Sequence, residues 1–180
     1  MLIIVSGYES VGKSTVAKAL AQKLRAVWID GPATIEPLIA HIIRAKQLNG
    51  RGFQQEMQRR LESEKGMEML RRLIADQVAN GLDVVVELST YYSDVHLAEQ
   101  LQTSVHYVEV TLPLELEAVQ YVACHPDEGS LSTWEREAAL RFPVFSDGAL
   151  FEQNVVVTYD NSEPLTEESI EALLRKINEN

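Results

Sequence analysis

The apolar run Leu2-Ile3-Ile4-Val5 leads directly into Gly7-Tyr8-Glu9-Ser10-Val11-Gly12-Lys13-Ser14, which fits the pattern G-x-x-x-x-G-K-S/T. A buried strand that ends in such a loop and re-enters as a helix admits few folds. Gly7 and Gly12 give the backbone access to positive φ, so that successive N–H groups of the loop, through Ser10 and Val11, can converge on phosphate oxygens. Lys13 is expected to reach the β- and γ-phosphates and to stand in water until they arrive. Ser14 would put its hydroxyl on Mg²⁺, while a helix opening near Gly12 to Thr15 would turn its unpaired N–H groups and positive dipole end toward the anion. The expected ligands are therefore ATP and Mg²⁺.

The remainder of the chain alternates strands and helices. Val16, Leu20 and Leu24 recur at helical spacing to about Arg25, and Ala26 to Asp30 reads as a second strand ended by Gly31-Pro32. A helix capped by Thr34 is expected to about Gln47, and a long helical region from Phe53 to about Asn80 has Gly66 as a weak point. Asp83 to Leu88 is a third strand, Ser93 or Asp94 begins a helix to about Gln102, Val105 to Val110 is a fourth strand, Leu114 to about Ala123 a helix, and Asn154 to Tyr159 a fifth strand. Thr166 caps a last helix with Ile170, Leu173, Leu174 and Ile177 in register. This alternation implies an α/β fold of three layers, a doubly wound parallel sheet of five strands with helices on both faces and ligands at the strands' carboxyl ends.

A length of 180 residues suits one domain, read as 1–180, with an acceptor-side helical region over about 31–80. Pro126, Gly129, Pro143 and Gly148 punctuate an irregular stretch over about 124–148 that suits a flap. The net charge of −11 opposes non-specific binding to nucleic acid or to an anionic membrane, so local charges must hold any polyphosphate. Cys124 is the only cysteine, which rules out an intrachain disulfide, and the four histidines are scattered, which makes a structural zinc site improbable. Met1 runs straight into a strand with no basic leader and no long apolar segment, so cytoplasmic residence is expected.

Asp30 and Glu87 stand with the loop at strand ends. Phosphoryl transfer to a hydroxyl needs a carboxylate that accepts its proton or orders Mg²⁺ and its water, and Asp30 is placed for that; the alternative is a turn or cap aspartate. Glu87 either holds Mg²⁺ through water or is a strand-end acid facing solvent. Eight of the sixteen Lys and Arg residues fall between Arg44 and Arg72, as a cationic pocket or as solvated helix faces, and Arg59 is the candidate for substrate contact. From Leu73 to Glu135 there is no lysine or arginine. Charge on a transferring phosphoryl group needs a further cation, which leaves Arg136 and Arg141 in the flap, each otherwise a surface residue.

With these residues in place the chain resembles the small P-loop kinases, the group that contains adenylate, shikimate and gluconate kinases and the kinase half of polynucleotide kinase. The resemblance covers the whole length in architecture and implies the three-layer P-loop fold with strand order 2-3-1-4-5, and only the phosphate loop is specific as a motif. It implies that Asp30 faces the acceptor hydroxyl, that Glu36 binds acceptor at the spacing seen in shikimate kinases, and that Arg59 with Glu62 echoes that group's R-x-x-E. It also implies that Asp160 to Pro164 cradles adenine, with Asn161, Ser162 and Pro164 at the nucleotide. Glu87-Leu88-Ser89-Thr90 replaces the Gly-Gly-Gly run of shikimate kinases, and Gln120 and Ala123 stand where arginines are usual, so shikimate is not the expected substrate. The expected activity is ATP-dependent phosphoryl transfer to a small hydroxyl acceptor. A nucleoside monophosphate kinase is the alternative within enzymes, and a nucleotide-binding sensor without catalysis the alternative outside them. No N-K-x-D or D-x-x-G motif points to a GTPase.

Overall fold

The computed structural model describes residues 1–35, 37, 40, 64–88, 101, 103–124 and 156–179. Its sheet has the order β2-β3-β1-β4-β5, with β1 at Leu2–Gly7, β2 at Val27–Asp30, β3 at Val84–Glu87, β4 at Val105–Thr111 and β5 at Val156–Asp160. Every neighbouring pair is parallel. The central strand β1 is buried along its whole length, which explains why its sequence is a continuous apolar run and not an alternating one.

Two cores flank the sheet. On one face Leu2, Ile4, Ile29, Val84 and Val86 pack against Leu70 and Ile74 of helix α2, Glu64–Ala79. On the other, Ile3, Val5, Val85 and Val108 pack against Val16 and Leu20 of helix α1, Lys13–Leu24, and Ile170, Leu173 and Ile177 of helix α4, Glu167–Glu179. Each such aliphatic side chain contributes about 1.5–3 kcal/mol by leaving water. Helix α3, Leu114–Cys124, follows β4. The layers are those expected from the alternation of elements, and the strand order is the one the resemblance implies.

Local signals explain where the elements begin and end. Arg25 closes α1 in the left-handed region at φ 55°, and Gly81, at φ 76°, follows α2. Helix α2 runs through Gly66, so that glycine does not interrupt it. Thr166 caps α4 reciprocally: the Ser169 N–H donates to Thr166 Oγ1 at 3.2 Å and the Thr166 N–H to Ser169 Oγ at 3.0 Å.

One boundary departs from expectation. Residues 31–35 are already helical, so this helix starts before Thr34. Its cap is Asp30, whose Oδ1 accepts the Ala33 N–H at 2.9 Å. Pro32 fits the first turn because its missing donor would be unsatisfied there in any case. Gly31 is required because a Cβ would come within 2.7 Å of the Glu87 carbonyl oxygen. The expected flap lies outside the described residues apart from Cys124, as do most of the region over 36–63 and, apart from Leu101, the helix expected over about 93–102.

Candidate functional site

The loop between β1 and α1 is built from three residues at positive φ: Gly7 at 148°, Ser10 at 65° and Gly12 at 92°. A Cβ at Gly7 would collide with the Val110 carbonyl of β4, and one at Gly12 with the side-chain amide of Asn161. Gly12 is the N-cap of α1, and no side chain caps the helix or places an acid in its first turn. The first N–H groups of α1 and its positive end therefore face the loop without an internal anion. This arrangement suits phosphate oxygens.

Lys13 corrects the sequence expectation. Its side chain is not left to water: Nζ donates to the Tyr8 carbonyl at 2.7 Å, folding the ammonium back over its own loop. Burial lowers its pKa below the usual 10.5, against the opposing pull of the carboxylates of Glu87, Glu9, Glu117 and Asp30. An incoming phosphate would replace one carbonyl contact and meet a lysine already aimed across the loop.

Asp30 and Glu87 are register partners on adjacent parallel strands, and Glu87 is in turn the partner of Val5 in β1. Ser14 Oγ donates to Glu87 Oε1 at 2.8 Å. Glu87 is only 7% exposed, so it is not an acid facing solvent. Its Oε2 is buried without a hydrogen-bond partner. Burial, and secondarily the charge of Asp30, raises its pKa, while the Ser14 hydrogen bond acts the other way. An orphaned buried carboxylate oxygen next to a loop serine is an environment that a hard cation or its bound water satisfies, and the donor set fits Mg²⁺. Among the described residues no group of three or more His, Cys, Asp or Glu side chains could hold a metal by itself. Glu87 and Ser14 would thus supply a minority of the oxygens, with phosphate and water the rest.

The raised pKa makes Glu87 a cost to the apo fold. A buried acid that holds its proton more tightly when folded loses stability as pH rises from the ordinary value of 4.5 through its folded value, and the full deficit stands above that. Glu87→Gln should therefore raise the apo melting temperature by a few degrees near neutral pH, on about 1 kcal/mol of recovered desolvation. The advantage over wild type should shrink toward zero as pH falls toward 4.5. Thermal unfolding of both proteins in chelator across pH checks this, and a lower melting temperature for the variant at neutral pH would show that the carboxylate stabilises the fold.

The structure brings Gly7, Ser10, Val11, Gly12, Lys13, Ser14, Asp30 and Glu87 to one end of the sheet, with Thr15 exposed on the first turn of α1. The β5 to α4 loop joins them through Asn161, whose Nδ2 donates to the Val11 carbonyl at 3.0 Å. Ser162 turns the chain by donating its N–H to Asp160 Oδ1 at 2.9 Å, and Pro164 is exposed. Glu36, Arg59, Arg136 and Arg141 lie outside the described residues. Sequence reading missed Glu117, which is 2% exposed on α3 and lies within electrostatic reach of Lys13. The signal was the buried face Glu117, Ala118, Tyr121, a spacing of i, i+1, i+4 that places an acid on the apolar side of the helix.

The family described as chloramphenicol phosphotransferase-like protein matches residues 1–129. Similar solved structures include a sugar kinase from a Janibacter species, at 16% identity and a TM-score of 0.61 over 98% of this chain and 94% of that one. A gluconokinase from Sinorhizobium meliloti is 18% identical, with a TM-score of 0.57 over 98% of this chain and 93% of that one. A shikimate kinase from Bacteroides thetaiotaomicron is 17% identical, with a TM-score of 0.55 over 99% and 96%. At these identities the likeness shows the fold alone. A search of curated proteins found no sequence match.

Proposed function

The chain belongs to the chloramphenicol phosphotransferase-like family of P-loop kinases, and on that footing we propose that it is a cytoplasmic, ATP-dependent phosphotransferase acting on the hydroxyl of a small molecule. The observation that carries the reading is the Ser14 to Glu87 hydrogen bond of 2.8 Å with Glu87 Oε2 left buried and unpartnered, beside Asp30 and the loop lysine. A glycine turn without a ligand has no need to bury a charge in that way.

In this reading the loop N–H groups and Lys13 bind and orient the phosphates, and Ser14 and Glu87 hold Mg²⁺. When bound, Mg²⁺ supplies neutralisation of charge on the β- and γ-phosphate oxygens. Asp30 accepts the proton of the acceptor hydroxyl as its oxygen bonds to the γ-phosphorus and the bond to the β,γ-bridging oxygen breaks. Arg136 and Arg141 bring cations from the flap over about 124–148, and Glu36 and Arg59 contact the acceptor from the helical region over about 31–80. Asn161, Ser162 and Pro164 border the nucleoside. The whole of 1–180 acts as one kinase domain.

A carboxylate at Asp30 favours an alcohol over a nucleoside monophosphate, since a phosphate acceptor calls for cations and not for a base. The eight basic residues between Arg44 and Arg72 favour the monophosphate. Turnover of ATP across neutral alcohols and nucleoside monophosphates separates the two, with transfer expected to the alcohols. Mg·ATP at millimolar concentration and micromolar affinity should also stabilise the fold by about 4 kcal/mol. A thermal shift without transfer to any acceptor would leave a nucleotide-binding sensor, and no shift with any nucleotide would remove the phosphate site.

A further inference from the structure

The side chain of Asn161 does not turn outward from its loop. Its Nδ2 donates to the carbonyl of Val11, inside the phosphate loop, at 3.0 Å. The residue is itself fixed by the sheet: its N–H donates to the Thr111 carbonyl at 2.9 Å, one position past the Thr111 and Asp160 pairing that ends the β4 to β5 ladder. The Asx turn from Asp160 Oδ1 to the Ser162 N–H, at 2.9 Å, then leads the chain away. Gly12 is fitted to this contact, because a Cβ there would collide with Asn161 Nδ2.

A peptide group is planar and trans, so its carbonyl and its N–H point in opposite directions. Holding the Val11 carbonyl outward on Asn161 therefore turns the Gly12 N–H inward, to the side where a phosphate oxygen would sit. The left-handed Gly12, at φ 92°, is the residue whose freedom would otherwise let this peptide rotate. We infer that Asn161 is a positioning residue that locks the Val11 to Gly12 peptide in its anion-binding orientation, so that the loop after the last strand recognises triphosphate through the phosphate loop and not only nucleoside by direct contact. The inference rests on the proposed reading of the loop as a phosphate site.

The test compares Mg·ATP with magnesium tripolyphosphate, which has no base or sugar, by calorimetry on wild type, Asn161→Ala and Asn161→Asp, with the apo melting temperature of each. Asn161→Ala should weaken both ligands by the same factor, about 10- to 100-fold, the loss expected when a part-buried acceptor is left unpaired. Asn161→Asp should be weaker still despite its closer shape, because a carboxylate oxygen would then face the Val11 carbonyl and the incoming phosphate. Melting temperatures of the apo variants should fall by only a few degrees, because without ligand the freed peptide can turn its carbonyl to water and is forced back unpaired only on binding, and if the alanine variant fails to fold, the aspartate variant decides by the same ratio. Weakened ATP with unchanged tripolyphosphate would overturn the inference in favour of direct nucleoside contact. Unchanged affinities for both, or a lowered melting temperature alone, would overturn it in favour of a structural role. Wild type that binds neither ligand would fail the phosphate-site reading itself, whereas tight wild-type binding with indifferent variants fails only the role of Asn161.

Discussion

Asp30→Asn should lower phosphoryl transfer by roughly 10²- to 10⁴-fold, the contribution of a positioned general base. The fold should hold, because asparagine caps a helix as well as aspartate does and can still accept the Ala33 N–H that Asp30 Oδ1 takes at 2.9 Å. Affinity for Mg·ATP should hardly change. It could even improve slightly near the acid end, since the charge of Asp30 is one cause of the raised Glu87 pKa and its removal lets Glu87 ionise more readily. A mainly metal-ordering Asp30 would behave differently: Mg·ATP binding would weaken and added metal would partly restore it. Should Asp30 only cap the helix over 31–35, neither transfer nor affinity would move. Transfer rate and Mg·ATP affinity measured on the same variant, with an acceptor found in the panel, separate the three, and unchanged values for both would take Asp30 out of the chemistry.

What could be read from the sequence was whatever depends on neighbours along the chain. The phosphate loop is written in eight consecutive residues, and the alternation of buried strands with amphipathic helices is enough to imply a parallel sheet covered on both faces, while its order followed from the resemblance. Capping was already harder. Thr34 stands before an apolar residue and looks like a cap, yet the helix starts at Gly31 because glycine tolerates the approach to the Glu87 carbonyl and proline tolerates the lost donor. Contacts between distant segments were not legible. Nothing near Asn161 says that its amide reaches a carbonyl 150 positions away, and nothing near Lys13 says that it bends back to Tyr8. Burial of charge was equally hidden. Glu87 at the end of an apolar strand reads the same whether it faces solvent or Ser14, and Glu117 stands out only when α3 is drawn as a helix with its buried face marked.

The largest effect is expected at Lys13. Lys13→Ala should reduce kcat/KM by at least about 10³-fold, beyond the loss of one preorganised donor, which costs about 10²- to 10³-fold. The excess comes from its surroundings. The ammonium stands in the field of the carboxylates of Glu87, Glu9, Glu117 and Asp30, and without it a polyphosphate would approach those charges uncompensated. The fold should survive, because what the protein loses is one hydrogen bond to the Tyr8 carbonyl and one half-buried charge whose depressed pKa shows that burial already disfavours it. Free Mg²⁺ should bind the variant more tightly than it binds wild type, since the same carboxylates then lack their countercharge, while Mg·ATP binds more weakly. Calorimetry with each ligand, beside turnover and thermal unfolding, checks all of these together. Opposite shifts for the cation alone and for the cation with nucleotide would be hard to obtain from general damage to the site. Wild-type turnover in the alanine variant would mean that the loop at Gly7 to Ser14 is not where phosphate is handled.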